Sequence, residues 1–123
     1  MVRTLTSAAL VLALAFTAPA HAAERSDADR ETTLNDLAYV LGQSHALRQA
    51  CQGQADQFWR ERMYHLIQTE QPDQGFERRL KDSFNTGYAA AQSTYPACSP
   101  QSRRAEARAA ERGRALVEGL AAQ

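Results

Sequence analysis

Apolar residues recur along this chain in four blocks, each at three- and four-residue steps. The first block is Leu37, Val40, Leu41, Ser44, Leu47 and Cys51. That spacing puts them on one face of a helix over about residues 33–51. Thr32 or Thr33 can cap it, and Gly53 marks its end. Trp59, Met63, Leu66 and Ile67 predict a second helix over about residues 55–70. Pro72 stops it, because the proline ring pushes Gln71 out of the helical region. Phe76, Leu80, Phe84, Tyr88, Ala91 and Tyr95 form a third stripe over residues 74–94, with Asp73 as cap and Tyr95-Pro96 as terminator. The fourth helix opens with Ser99 as N-cap and Pro100 at the first helical position, and runs to about residue 121. Its stripe is small at Ala105, Ala109 and Gly113 and larger at Leu116, Val117 and Leu120. Small residues let a neighbouring backbone come close. No run alternates with period two, so no strand is predicted. Short connections favour antiparallel neighbours, and the expected fold is an all-α, up-down-up-down four-helix bundle.

The residues before these blocks follow a different pattern. Arg3 supplies a positive start, residues 5–16 are apolar and uncharged, Pro19 breaks the run, and Ala20-His21-Ala22 reads as a small-x-small cleavage site. This is the three-part layout of a secretory signal peptide over residues 1–22. The apolar run is about a dozen residues, short of the roughly 20 that span a bilayer, so a retained anchor is the weaker reading. Residues 23–32 are polar with no apolar period and are expected to form a flexible leader. Residues 33–122 then make one helical domain. The expected location is the periplasm, with no stable membrane anchor after cleavage.

Charge narrows the class of partner. With Arg3 removed, 13 basic residues face 14 acidic ones. Near neutrality argues against nucleic acid or a general anionic surface. Both cysteines, Cys51 and Cys98, lie after the expected cut. In an oxidising compartment an even count reads as a disulfide. Two free thiols or a redox-active pair are the alternatives, the latter without a Cys-x-x-Cys spacing to support it. The topology offers a check. Cys51 ends the first helix and Cys98 follows the third, so both fall at one end of an up-down-up-down bundle. Closing a loop of roughly 47 residues is worth on the order of 4 kcal/mol in the chain-entropy model.

Several segments carry a resemblance. LAYVLGQSHALRQAC (37–51), DQFWRERM (56–63), FNTGY (84–88), YPACSP (95–100) and RGRALVEGL (112–120) resemble a family of small exported alphaproteobacterial proteins with a domain of unknown function. The likeness covers about residues 34–120. It implies export and a shared fold. It carries over no activity, cofactor or catalytic residue.

Candidate chemistry follows from helix heights at about 1.5 Å per residue. His45, Arg48, Trp59, Arg62, Asn85 and Tyr88 fall in one band below the stapled end. Gly42 and Gly87 lie in the same band, where a missing side chain leaves room or permits close helix contact. A polar pocket built on these groups would take a ligand carboxylate or phosphate on arginine, with Trp59 and Tyr88 stacking. The competing reading is a satisfied polar layer, with Arg48 or Arg62 paired to Glu61 or Asp36 and His45 hydrogen-bonded in the core. Tyr39 and Tyr64 lie off the main stripes. No catalytic set is expected. Only His45 and His65 remain after cleavage, without a metal-ligand spacing, so neither a metal nor a cofactor is predicted. No Gly-rich phosphate loop occurs. Ser44 and His45 are adjacent on a helix and point about 100° apart.

The expected function is a non-enzymatic interaction or structural module of the cell envelope, with an unknown envelope protein or a small ligand as partner. Ligand binding through the band around His45, Arg62 and Tyr88 is the alternative, and an acid-stress or holdase chaperone is a third. N-terminal sequencing of the secreted protein is expected to begin at Ala23. An intact mass equal to the full 13.6 kDa chain would refute cleavage.

Overall fold

The computed structural model describes the chain from residue 20 onward, so almost all of the expected signal peptide lies outside the described residues. Four helices follow: α1 (Ala20–Gln52), α2 (Phe58–Glu70), α3 (Gln74–Thr94) and α4 (Pro100–Ala121). No strand occurs among the described residues. The punctuation read from the sequence operates as expected. Asp73 accepts a hydrogen bond from the Phe76 amide at 2.7 Å. Ser99 and Ser102 form a reciprocal capping box, with Pro100 in the first turn. Gln71 adopts a left-handed conformation (φ 46°) and its amide closes α2 on the Ile67 carbonyl.

Helix α1 departs from the expectation. Residues 23–32, read as a flexible leader, are helical, and α1 is 33 residues long. Between Ala20 and Gly42 there is neither glycine nor proline to interrupt it. Thr32 and Thr33 do not cap. Their hydroxyls donate back to the carbonyls of Ala28 and Asp29, one turn earlier. Ion pairs hold this stretch to other helices: Arg30 grips both oxygens of Glu70 at 2.8 Å, and Arg79 reaches Glu31 at 3.0 Å. An apolar period reports burial, so its absence there marked exposure and not loss of helix. Helix α2 also starts three residues later than expected, because Asp56 is engaged in the preceding loop.

The bundle is organised around α1, which packs on each of the other three helices and most extensively on α3. Helices α1 and α3 run parallel in a constant register. Glu31 meets Arg79, the Asn35 carbonyl accepts from Ser83 Oγ, and Tyr39 meets Gly87. A square up-down-up-down bundle would leave these two helices on its diagonal. Here they are the closest pair, and the cause is Gly42 and Gly87. A methyl group at Gly42 would overlap the Phe84 carbonyl oxygen, and one at Gly87 would overlap that of Tyr39. The backbones meet reciprocally at these two points, in the geometry of weak Cα–H···O contacts. Helices α2 and α4 run antiparallel to α1 on its flanks.

Two apolar clusters fill the interior. One gathers large residues, Leu34, Leu37, Leu41, Met63, Phe76, Leu80 and Phe84 among them. The other, under the stapled end, relies on small ones: Val40, Ala46, Leu47, Ala91, Ala105 and Ala109. The Cys51–Cys98 disulfide ties the end of α1 to the α3–α4 connection, with Cα atoms 4.7 Å apart.

Replacing Gly87 with alanine is expected to lower stability by about 3 kcal/mol through overpacking. Gly113→Ala, where a new methyl meets only Val40 Cγ1 at 3.6 Å, should raise it by about 0.5–1 kcal/mol through helix propensity. Urea denaturation of both variants with the disulfide intact checks the contrast.

Candidate functional site

The α1–α2 connection is held by a polar network. Arg48 Nε donates to both carboxylate oxygens of Asp56 at 2.9–3.0 Å. Asp56 also accepts from the Phe58 amide, which starts α2. Buried Gln49 donates through Nε2 to the carbonyls of Gln54 and Asp56, and its Oε1 accepts from the Tyr88 hydroxyl at 2.7 Å. The chain thus binds its first loop to α3 through one amide side chain. Burial raises the strength of such a network, and every named member has a partner.

His45 lies beside this network on the α1–α3 seam, 2% exposed. Its ring sits 5.7 Å from Phe84 and 5.4 Å from Tyr88. Its Nδ1 is buried without a hydrogen-bond partner. Burial pushes its pKa below the ordinary value, the Arg60 guanidinium adds to that, and Asp56 opposes it.

The structure divides the six residues that sequence reasoning placed in one band. His45 and Tyr88 occupy the α1–α3 seam. Arg48 belongs to the loop network, paired with Asp56 and not with Glu61 or Asp36. Arg48 and Arg62 both stack on Phe58, at 4.7 and 4.0 Å from its centroid, with Trp59 edge-on to the same ring at 5.0 Å. Asn85 is exposed on a different face, between α2 and α3 near Arg60, Tyr64 and Lys81. His45 and Tyr88 pack against each other in the α1–α3 seam, whereas Arg62 lines a groove between α2 and α4. The residues missed were Gln49, Asp56 and Phe58. Gln49 falls one turn after His45 on the same helix face, which is the signal that could have found it.

A different site is built by apolar residues. Helices α2 and α4 flank α1 and hardly meet each other, and between them Leu37, Val40, Leu41 and Ser44 of α1 are buried. The result is an open groove of about 670 Å³. Leu37, Val40, Leu41 and Ser44 form its floor, Trp59 and Leu66 one wall, and Ala109, Gly113 and Val117 the other. Arg62, His65, Arg114 and Glu118 stand on its rim. The small residues of α4, read as permitting close contact, also keep this groove open. Val117 is 51% exposed along it. Trp59 Nε1 is buried without a partner. The groove is apolar along its length and edged by two arginines, a histidine and a glutamate. No cluster of His, Cys, Asp or Glu placed to hold a metal ion occurs among the described residues. None of the described helices is long and apolar enough to cross a membrane.

The buried neutral histidine sets a pH dependence. A histidine whose folded pKa lies below its unfolded value of about 6.5 stabilises the fold fully above that pH. The contribution is lost as pH falls through the folded value, because the unfolded chain takes up the proton first. His45→Leu is expected to flatten the decline in stability between pH 7 and pH 5. Urea titrations at several pH values measure it, and parallel wild-type and variant curves would exclude His45 as the cause.

Comparison with known proteins places the chain in one family. No curated protein and no solved structure matches it. A family model does match, over residues 30–123, which takes in all of α2, α3 and α4 and most of α1. The chain belongs to the family described as "Protein of unknown function (DUF2385)".

Proposed function

We propose that this chain is an exported, disulfide-stapled helical module that acts in the periplasm by binding, not by catalysis, and that it binds through the groove between α2 and α4. The groove itself carries this reading. It is concave, apolar, and of a volume typical of ligand sites, roughly 300–1,000 Å³. The polar groups near the stapled end are instead consumed by structure, since Arg48, Gln49 and Tyr88 hold the first loop in place. Export rests on the signal-like first 22 residues, and the single disulfide suits an oxidising compartment.

His45 supports a second reading, an acid-stress holdase. Protonating this buried imidazole, whose Nδ1 has no hydrogen-bond partner, would loosen the α1–α3 seam and expose apolar surface, while the disulfide keeps the chain compact.

A photo-crosslinking residue in place of Val117 tests the first reading in living cells. It should yield a covalent adduct, protein or lipid, in the exported fraction. The same residue in place of Gln92, exposed on α3, should not. Adducts of equal yield at both positions, or none at either, would remove the groove as the functional surface.

A further inference from the structure

Among the described residues, few arginines are paired with carboxylates. Arg30, Arg48 and Arg79 are each paired with a carboxylate: Glu70, Asp56 and Glu31. Arg62 and Arg114 are not. Arg62 stacks on the face of Phe58, and among the described residues neither it nor Arg114 is in one of the ion pairs found. Both line the groove, from opposite walls. The Arg30–Glu70 pair sets the antiparallel register of α2 on α1, and the approach of Gly113 to Val40 sets that of α4. These registers bring Arg62 and Arg114 to about the same level along α1. The two arginines therefore stand on opposite walls at one level of an apolar channel, with the Arg62 guanidinium resting on Phe58.

Groove dimensions limit what can occupy it. From Trp59 to Thr69 along α2 the channel is about 15 Å long. It suits a slender ligand. Its buried floor and its apolar walls, Leu66 and Val117 among them, offer a chain only dispersion and hydrophobic contact, while the two guanidiniums offer a carboxylate bidentate hydrogen bonds. Glu118 stands one turn along α4 from Arg114, and among the described residues no ion pair joins it to either arginine, so two positive groups face one negative group at the mouth. We infer that the groove receives a single-chain fatty acid, its acyl chain along α1 and its carboxylate between Arg62 and Arg114. This inference rests on the reading of the groove as the binding surface and adds the ligand class.

Trp59 is the only tryptophan and forms part of the groove wall, so its emission reports occupancy. The probe is sodium dodecanoate, titrated below its micellar concentration into the oxidised mature protein. A saturable shift of Trp59 emission is expected, with dodecyl maltoside and dodecyltrimethylammonium binding at least about tenfold more weakly. Arg62→Gln combined with Arg114→Gln should weaken dodecanoate about tenfold and leave the maltoside unchanged. Both positions are exposed, and an unchanged thermal melt shows that the variant is folded. The absence of a saturable shift, equal affinity for the three headgroups, or indifference to the double substitution would each overturn the inference. So would a dimer in sedimentation velocity that Val117→Asp dissolves, which would assign the groove to a second copy. A protein adduct at position 117 together with a failed titration would retain the binding role and reject the fatty acid. Failure of both experiments would reject the groove altogether.

Discussion

The approach of α1 to α3 at Gly42 and Gly87 is the constraint on which the rest of this structure depends. Each glycine faces a carbonyl of the other helix, and neither position has space for a methyl group. Helices that meet at the backbone gain contact along their whole shared length, here from the Glu31–Arg79 pair to Gln49 and Tyr88. Once α3 occupies one side of α1 this closely, α2 and α4 take the flanks and hardly meet each other. Helix α1 then becomes a central strut with apolar groups around much of its circumference, as expected of a helix buried on several sides. Between those flanking helices an open groove remains. The groove is thus a consequence of the same contact that builds the core.

The stapled end is secured three times over. The disulfide joins α1 to the α3–α4 connection, the Ser99–Ser102 box starts α4 against it, and Gln49 binds the α1–α2 loop to Tyr88. The opposite end relies on larger apolar residues and on surface ion pairs, which contribute about 0–1 kcal/mol each. Burial of Leu80, Phe76 and Leu34 carries that half. The histidine lies where these two regimes meet, enclosed by aromatic rings and without a partner for Nδ1. Its neutral form belongs to the folded state, which links compactness to pH.

Much of this was legible in residues alone. The four stripes, the Asp73 and Ser99 caps, the stop at Gln71-Pro72 and the shared location of Cys51 and Cys98 depend on interactions within a few residues or on simple topology. Local rules therefore reached them. They did not reach residues 23–32, whose helix is held by ion pairs to distant Glu70 and Arg79, nor the Arg48–Asp56 pair, which depends on the path of a loop. The band around His45 was read from heights along helices. Height is one coordinate of three, and the rotation of each helix about its axis sent Asn85 to one face, Arg62 to another and His45 inward.

By itself, then, the sequence determined four helical stripes after residue 32 and brought two cysteines to one end, because helix periodicity, capping and chain reversal act locally. Only the tertiary structure decided which helix stands at the centre and which residues are left facing outward. That choice follows from how closely two backbones approach at Gly42 and Gly87, and the groove, its apolar floor and the two arginines on its rim follow from it.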